Sequence, residues 1–287
     1  MDIIPQLIAN SVVAGATYAL ITLGFNLIYG TTKFINMAHG TVAAVGGYAV
    51  FFLFKNYGVN MYASVAIGIV IAGCIGFFSD YVVFRSLRKK KSSGLVLFIA
   101  SLGIFTLLQA VLAILFGSQF QTLAFDAAPR VFEFAGAIIT QTQIVIIASA
   151  ALLCIVLAYF LKYTMWGRAV RAISDDEEVA RIIGIDTDRI IGGTFFIGSC
   201  IAGFAGILIG FDTGIQPTMG LLVILEGAIS SIIGGIGNIY GGVLGSFLLA
   251  FAENFGIWKI AGEWKGAISL GILIIFLLFR PQGIFKK

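Results

Sequence analysis

Ser174 to Ile185 reads SDDEEVARIIGI, an acidic helix start set between stretches of lipid-soluble residues. Ser174 followed by Glu177 predicts a capping box, in which the hydroxyl and the carboxylate satisfy two orphan backbone donors. Asp175, Asp176, Glu177 and Glu178 crowd the start, where the positive end of the helix dipole favours acidic groups. Val179, Ala180, Ile182 and Ile183 make one apolar face, and Gly184 followed by Ile185 suits a left-handed C-terminal cap. The expectation is a self-capped helix of about two or three turns, too short to be stable alone. It must dock. A short amphipathic helix exposed between membrane spans is what a membrane subunit offers to a soluble partner.

The flanks fix the solvent. Only 11% of the residues are charged and 59% are hydrophobic, with 36 glycines. Apolar stretches of about 18 residues or more recur, each long enough for a hydrocarbon core of roughly 30 Å. This predicts an all-α polytopic membrane protein, one domain over 1–287, and excludes a soluble fold. Met1 to Pro5 lacks the basic start of a cleavable signal peptide. The net charge of +4 is no sign of nucleic-acid binding, because in a membrane protein Lys and Arg report orientation. Cys74, Cys154 and Cys200 all lie in apolar runs and read as small core residues.

In chain order the expected spans are Gln6–Tyr29, Met37–Phe54, Met61–Phe84, Leu95–Phe116, Ile138–Leu161, Ile190–Phe211, Leu221–Ile233, Val243–Ile257 and Ala267–Phe279. That is nine crossings; one re-entrant segment among the first two and the seventh would leave eight. Ser118–Ala137, with Pro129, reads as an external loop, and Lys162–Arg189 as the loop that carries the capped helix. With Lys33, Arg85–Lys91, Lys162–Arg189 and the C-terminus (Arg280, Lys286, Lys287) inside, only Lys55, Arg130, Lys259 and Lys265 fall outside. The insertion bias therefore predicts an external N-terminus and a cytoplasmic C-terminus.

Two places interrupt the apolar runs. Gly234, Gly235, Gly237, Gly241, Gly242 and Gly245 include small residues four apart, which let helices approach closely in lipid. Glycine pairs also break helices, and a broken helix at membrane depth lines a cavity or is buried in protein. The other place is Tyr29–Gly40, YGTTKFINMAHG. Candidates for a substrate path are therefore Asn36, His39, Gly40, Glu226, Gly234, Gly235 and Gly237. His39 is the single histidine. With no second His or paired Cys it predicts no metal site and no catalytic site, and a packing or loop-orienting role is its ordinary reading. Glu226 and Glu253 are carboxylates in apolar stretches with no basic partner at helical spacing; a relay there would suit an ion-coupled secondary transporter. Asp80 reads as an interfacial ion pair near Arg85. Asn10, Asn26, Gln109 and Asn254 read as donors to neighbouring helices. No nucleotide-binding loop is present, so no ATP cofactor is expected on this chain, and any hydrolysis belongs to a partner.

Glu178-Val179-Ala180, three residues, then Gly184 resembles the E-A-A-x-x-x-G signature of bacterial ABC-importer permeases, without its later hydrophobic-Pro part. YALITLGFNLIYGTTKFINMAHG (Tyr18–Gly40), GRAVRAISDDEEVARIIGI (Gly167–Ile185), IIGGIGNIYGGVLG (Ile232–Gly245) and FRPQGIF (Phe279–Phe285) resemble the H-type permease of branched-chain amino-acid ABC importers. That resemblance covers essentially the whole chain. It implies an ABC-importer permease fold in the bacterial cytoplasmic membrane and a cytoplasmic coupling helix in residues 162–189. The coupling residues would be Ser174, Asp175, Asp176, Glu177, Glu178, Val179, Ala180, Ile182, Ile183 and Gly184. The implied partners are a second, M-type permease, two ABC ATPase subunits and an extracytoplasmic amino-acid-binding protein. The substrate would be leucine, isoleucine or valine, although urea, amide and other small-solute permeases of the wider family share these features.

Overall fold

The computed structural model describes residues 3–123 and 130–285. Pro129, Lys286 and Lys287 therefore lie outside the described residues. The helices are α1 (Ile3–Thr32), α2 (Ala38–Phe51), α3 (Met61–Ser79), α4 (Arg85–Lys89), α5 (Gly94–Phe116), α6 (Gln141–Tyr163), α7 (Met165–Asp175), α8 (Glu177–Ile182), α9 (Thr187–Asp212), α10 (Met219–Gly234), α11 (Ile239–Lys259) and α12 (Lys265–Phe279). A short antiparallel hairpin, β1 (Val131–Phe134) and β2 (Ala137–Thr140), is the one sheet among the described residues. π-Helical turns at Phe52–Asn56 and Asp80–Phe84 continue α2 and join α3 to α4.

Polar side chains start these helices where the sequence turns from loop to apolar run. Asn60 accepts from Tyr62 N, Asp186 from Arg189 N and Asn238 from Gly241 N. Thr140 and Gln143 form a full capping box, so α6 begins at Gln141 and the expected span start at Ile138 is corrected to strand. Among the described residues, eight helical stretches are long and apolar enough to cross a membrane, and α10 is a shorter apolar helix beside them. The chain is an all-α polytopic membrane protein.

Hydrogen bonds identify the two ends of the bundle. Gln6 Oε1 accepts from Ile138 N at 2.8 Å and its amide donates to Ile138 O at 3.1 Å, placing the start of α1 beside the hairpin. At the far end of α1 the Thr31 and Thr194 hydroxyls lie 3.1 Å apart and Gly30 faces Ser174. The C-terminal tail reaches this same end, where Ile284 N donates to Ile233 O at 2.9 Å and Phe285 N to Gly234 O at 3.1 Å. Asp188 pairs there with Arg85 (3.1 Å) and Lys89 (3.5 Å). Asp80 is almost fully buried and forms the expected ion pair, with Arg88 at 2.6 Å as its partner. The π-helical turn after Asp80 rotates the following helix relative to an unbroken α-helical register.

The core forms where α1, α2, α3, α9, α10 and α11 meet, and it is built on small residues. Gly46 backs onto Gly203, Gly206 onto Ala43 and Gly40 onto Gly220. Without side chains between them the backbones come close enough to gain van der Waals contact, the main driving force for helix association in lipid. α2 starts inside the bundle. His39 lies against Gly24, two turns before the end of α1, so Lys33–Met37 folds back into the protein.

Candidate functional site

Two helices, not one, occupy residues 162–189. Thr164 caps α7 by accepting from Gly167 N at 2.9 Å. α7 is amphipathic, with Val170, Ile173 and Ser174 turned inward. Ser174 is therefore in the last turn of α7, buried against Gly30, and does not cap the acidic helix. The cap is Asp176, whose Oδ1 accepts from Val179 N at 3.0 Å. The expected Ser174–Glu177 capping box is corrected accordingly, and the expected two-to-three-turn helix shrinks to Glu177–Ile182, with Asp175 left at the end of α7.

The C-terminal end of α8 follows the expectation. Gly184 has φ +92°, Gly184 N donates to Arg181 O at 3.1 Å and Ile185 N donates to Ala180 O at 3.0 Å. These are the two bonds of a Schellman cap. Glu177 pairs with Arg181 at 2.7 Å, and Arg181 also donates to the Thr187 hydroxyl. Ala180 points into the protein and is 1% exposed. Val179, Ile182 and Ile183 point out, at 53%, 82% and 68% exposure, with exposed Glu178 beside them. The apolar face is thus split: one small residue anchors the helix and three large ones are offered outward. A helix this short, held by caps at both ends and bearing a hydrophobic outer surface, has the chemistry of a knob for a partner's groove.

The remaining candidates fall in three separate places. Asn36 and His39 are buried at the α1–α2 junction, where Asn36 Oδ1 accepts from Ala38 N at 3.1 Å. Gly40 packs there on Gly220 and Ile224 of α10. Glu226 lies on α10 too, two residues after Ile224, in a polar cluster. Lys265 Nζ is 3.3 Å from Glu226 Oε1 and 3.7 Å from Glu253 Oε2, and the Tyr18 hydroxyl is 2.6 Å from Glu253 and 3.1 Å from Glu226. Ser269 donates to Glu253 as well. The absence of a basic partner read from helical spacing is corrected, since the partner comes from α12, a different helix. Gly234, Gly235 and Gly237 sit at the opposite end of α10. Gly234 touches the Gly241 backbone, Gly235 (φ +110°) lies under Phe285, and Gly237 (φ +82°) donates to Asn26.

Asn26 is the buried side chain that organises this turn. Its amide donates to Asn238 O at 3.0 Å, and its oxygen accepts from Gly237 N at 3.0 Å and from Ser231. Asn254 and Asn10 instead bond within their own helices, Asn254 donating to Ala250 O and Asn10 accepting from Gln6, so the expected donation to neighbouring helices is corrected for these two. Among the described residues no group of three or more His, Cys, Asp and Glu is placed to hold a metal.

The family model described as "Branched-chain amino acid transport system / permease component" matches residues 7–277. The chain is 34% identical to the high-affinity branched-chain amino acid transport system permease protein LivH of Escherichia coli, over 98% of this chain and 95% of that protein. It is 33% identical to the corresponding protein BraD of Pseudomonas aeruginosa, with the same coverage. Identity to the E. coli permease LivM is 24%, over 93% of this chain and 67% of LivM. Among solved structures, PsaBC from Streptococcus pneumoniae in complex with Fab shares the fold at a TM-score of 0.50 and 12% identity, covering 98% of this chain and 93% of that one. Membrane-spanning helices joined by buried glycine contacts, together with this full-length likeness, place the chain in the permease component family of the branched-chain amino acid transport system.

Proposed function

We propose that the chain is the H-type permease subunit of an ATP-driven importer for leucine, isoleucine and valine, embedded in the bacterial cytoplasmic membrane. It pairs with a second, M-type permease, and the two receive substrate from an extracytoplasmic binding protein. Two ABC ATPase subunits bind and hydrolyse the ATP, so the chain itself needs no cofactor. The end of the bundle bearing α7 and α8 faces the cytoplasm. The placement of Lys33, Arg85–Lys91 and Arg168–Arg189 at that end, with Lys55, Lys259 and Lys265 at the other, supports this orientation.

The observation that carries the reading is the outward face of α8. Val179, Ile182 and Ile183 are large, apolar and exposed on a helix fixed by Asp176 and Gly184. In the proposed cycle they fill a groove on the ATPase, with Glu178 at its edge. Closure of the ATPase pair on ATP moves α8, and α7 passes the displacement to α1 through Ser174 at Gly30. The helices then rock to expose the path to alternate sides. Asn36, His39 and Glu226 are the proposed path-facing groups in the moving state.

Val179→Asp together with Ile183→Asp should abolish ATP-driven leucine uptake into vesicles while the permease still inserts and co-purifies with its second permease. Full uptake in that double variant would sink the docking assignment. For the path, single cysteines at Asn36, His39 and Glu226 in a chain stripped of native cysteines should react with polar thiol reagents during turnover and be shielded by loaded binding protein. Inertness of all three under turnover would mean that these segments only pack.

A further inference from the structure

A groove of ≈ 1230 Å³ opens on the flank of the bundle between α3, α6, α7 and α9. It lies at the α7–α8 end and is no part of the coupling face or the path. Its inner walls are apolar and aromatic: Phe77, Phe78, Phe160, Trp166 and Phe196, with Gly193 letting Trp166 lie flat against α9. This volume exceeds the roughly 300–1,000 Å³ of ordinary small-molecule pockets. Three of its four walls, α3, α6 and α9, are long and apolar enough to cross a membrane, which sets the groove against the bilayer.

The two charged residues of the lining are Asp186 and Arg189. Both are exposed, three residues apart across the start of α9, and therefore on one face of that first turn. Asp186 Oδ1 caps the helix through Arg189 N, and among the described residues its second oxygen has no hydrogen-bond partner and the Arg189 guanidinium no ion pair. Trp166, packed on Phe160 at 5.4 Å between ring centres, brings an indole N–H beside Gly193, one turn along α9 from Arg189. A cation and an anion thus stand at the edge of a hydrocarbon-lined slot with an indole donor one turn inside, in the zone where Trp is favoured.

We infer that this groove binds one diacyl phospholipid with a zwitterionic, primary-amine headgroup. The phosphate sits on Arg189, the ammonium on Asp186, and an acyl chain lies along Phe78, Phe196 and Trp166. A singly anionic headgroup satisfies Arg189 but leaves Asp186 facing negative charge. A quaternary ammonium can neutralise Asp186 but has no N–H to donate to it. The wall of the groove includes Ile185, the residue that closes the cap of α8, so a bound lipid braces the base of the coupling helix.

The test uses the full-length chain with Trp258→Phe and Trp264→Phe, leaving Trp166 as its one tryptophan, in vesicles doped with acyl-brominated lipids. Quenching of Trp166 at equal mole fraction should be about threefold more effective with brominated phosphatidylethanolamine than with the phosphatidylglycerol or phosphatidylcholine equivalents, the size that one exposed ion pair supplies. Arg189→Gln and Asp186→Asn should each remove the preference, the latter while keeping the helix cap. Equal quenching by all three headgroups, which would make the contact ordinary boundary lipid, overturns the proposal. Absence of quenching by any of them, which would mean that a protein segment fills the groove, overturns it as well.

Discussion

Gly184 and Gly235 both stand at the end of a helix with a backbone that favours glycine, and they live in opposite surroundings. Both have a positive φ, +92° at the end of α8 and +110° at the end of α10. A Cβ on Gly184 would meet nothing within 4 Å, whereas one on Gly235 would strike the Phe285 carbonyl. A glycine at positive φ thus serves an element that must be free to meet a partner and another that must be closed against its own chain. Around Gly235 the same crowding extends to Gly234 on Gly241 and Gly245 on Ser230. The lesson is that glycine content alone does not mark flexibility in this fold. Its meaning is set by what faces the missing side chain.

The contrast can be broken from its crowded side first. Gly234→Val places branched carbon into the Gly241 backbone, and overpacking there should cost about 3 kcal/mol or more. Thermal unfolding in mild detergent should show a collapsed midpoint and poor recovery of dispersed protein. Asn26→Ala should come next, at about 2 kcal/mol, because it strips Gly237 N, Ser231 and Asn238 O of a buried partner at once. The same unfolding measurement checks it. Gly184→Ala meets no steric obstacle and should cost only the left-handed strain, about 1 kcal/mol. A loss as large as that of Gly234→Val would show that the α8 end is not open. The smallest effect is expected for Asp176→Ala, about 1 kcal/mol or less and confined to α8. Faster amide exchange at Val179 with an unchanged global midpoint would show it, and Asp176→Asn should restore protection.

The positions of the spans were legible in the sequence because each helix writes its own apolar run, and the Gly184–Ile185 cap because its chemistry is local. The start of the acidic helix was not. Ser174 and Asp176 are both good capping residues, and Ser174 with Glu177 has the proper spacing. The choice is made by tertiary structure: α7, begun by Thr164, carries on through Ser174, and burial against Gly30 removes that hydroxyl from competition. Lys265 was unreadable as the partner of Glu226 and Glu253 for a related reason. Helical spacing reports only neighbours on one helix, and this contact joins α10, α11 and α12. Asp80 was legible as half of an ion pair, while its partner Arg88 was not, because a π-helical turn changes the register that spacing arguments assume.

The bonds from Ile284 and Phe285 to the carbonyls of Ile233 and Gly234 also set a timetable. The donors leave the ribosome about fifty residues after the acceptors, which at roughly 5–20 residues per second is an interval of about three to ten seconds. Throughout it, the end of α10 has both carbonyls waiting and must keep them in contact with water or with the insertion machinery. The seam that the glycines make so tight therefore stays unsealed until Ile284 and Phe285 have themselves been made.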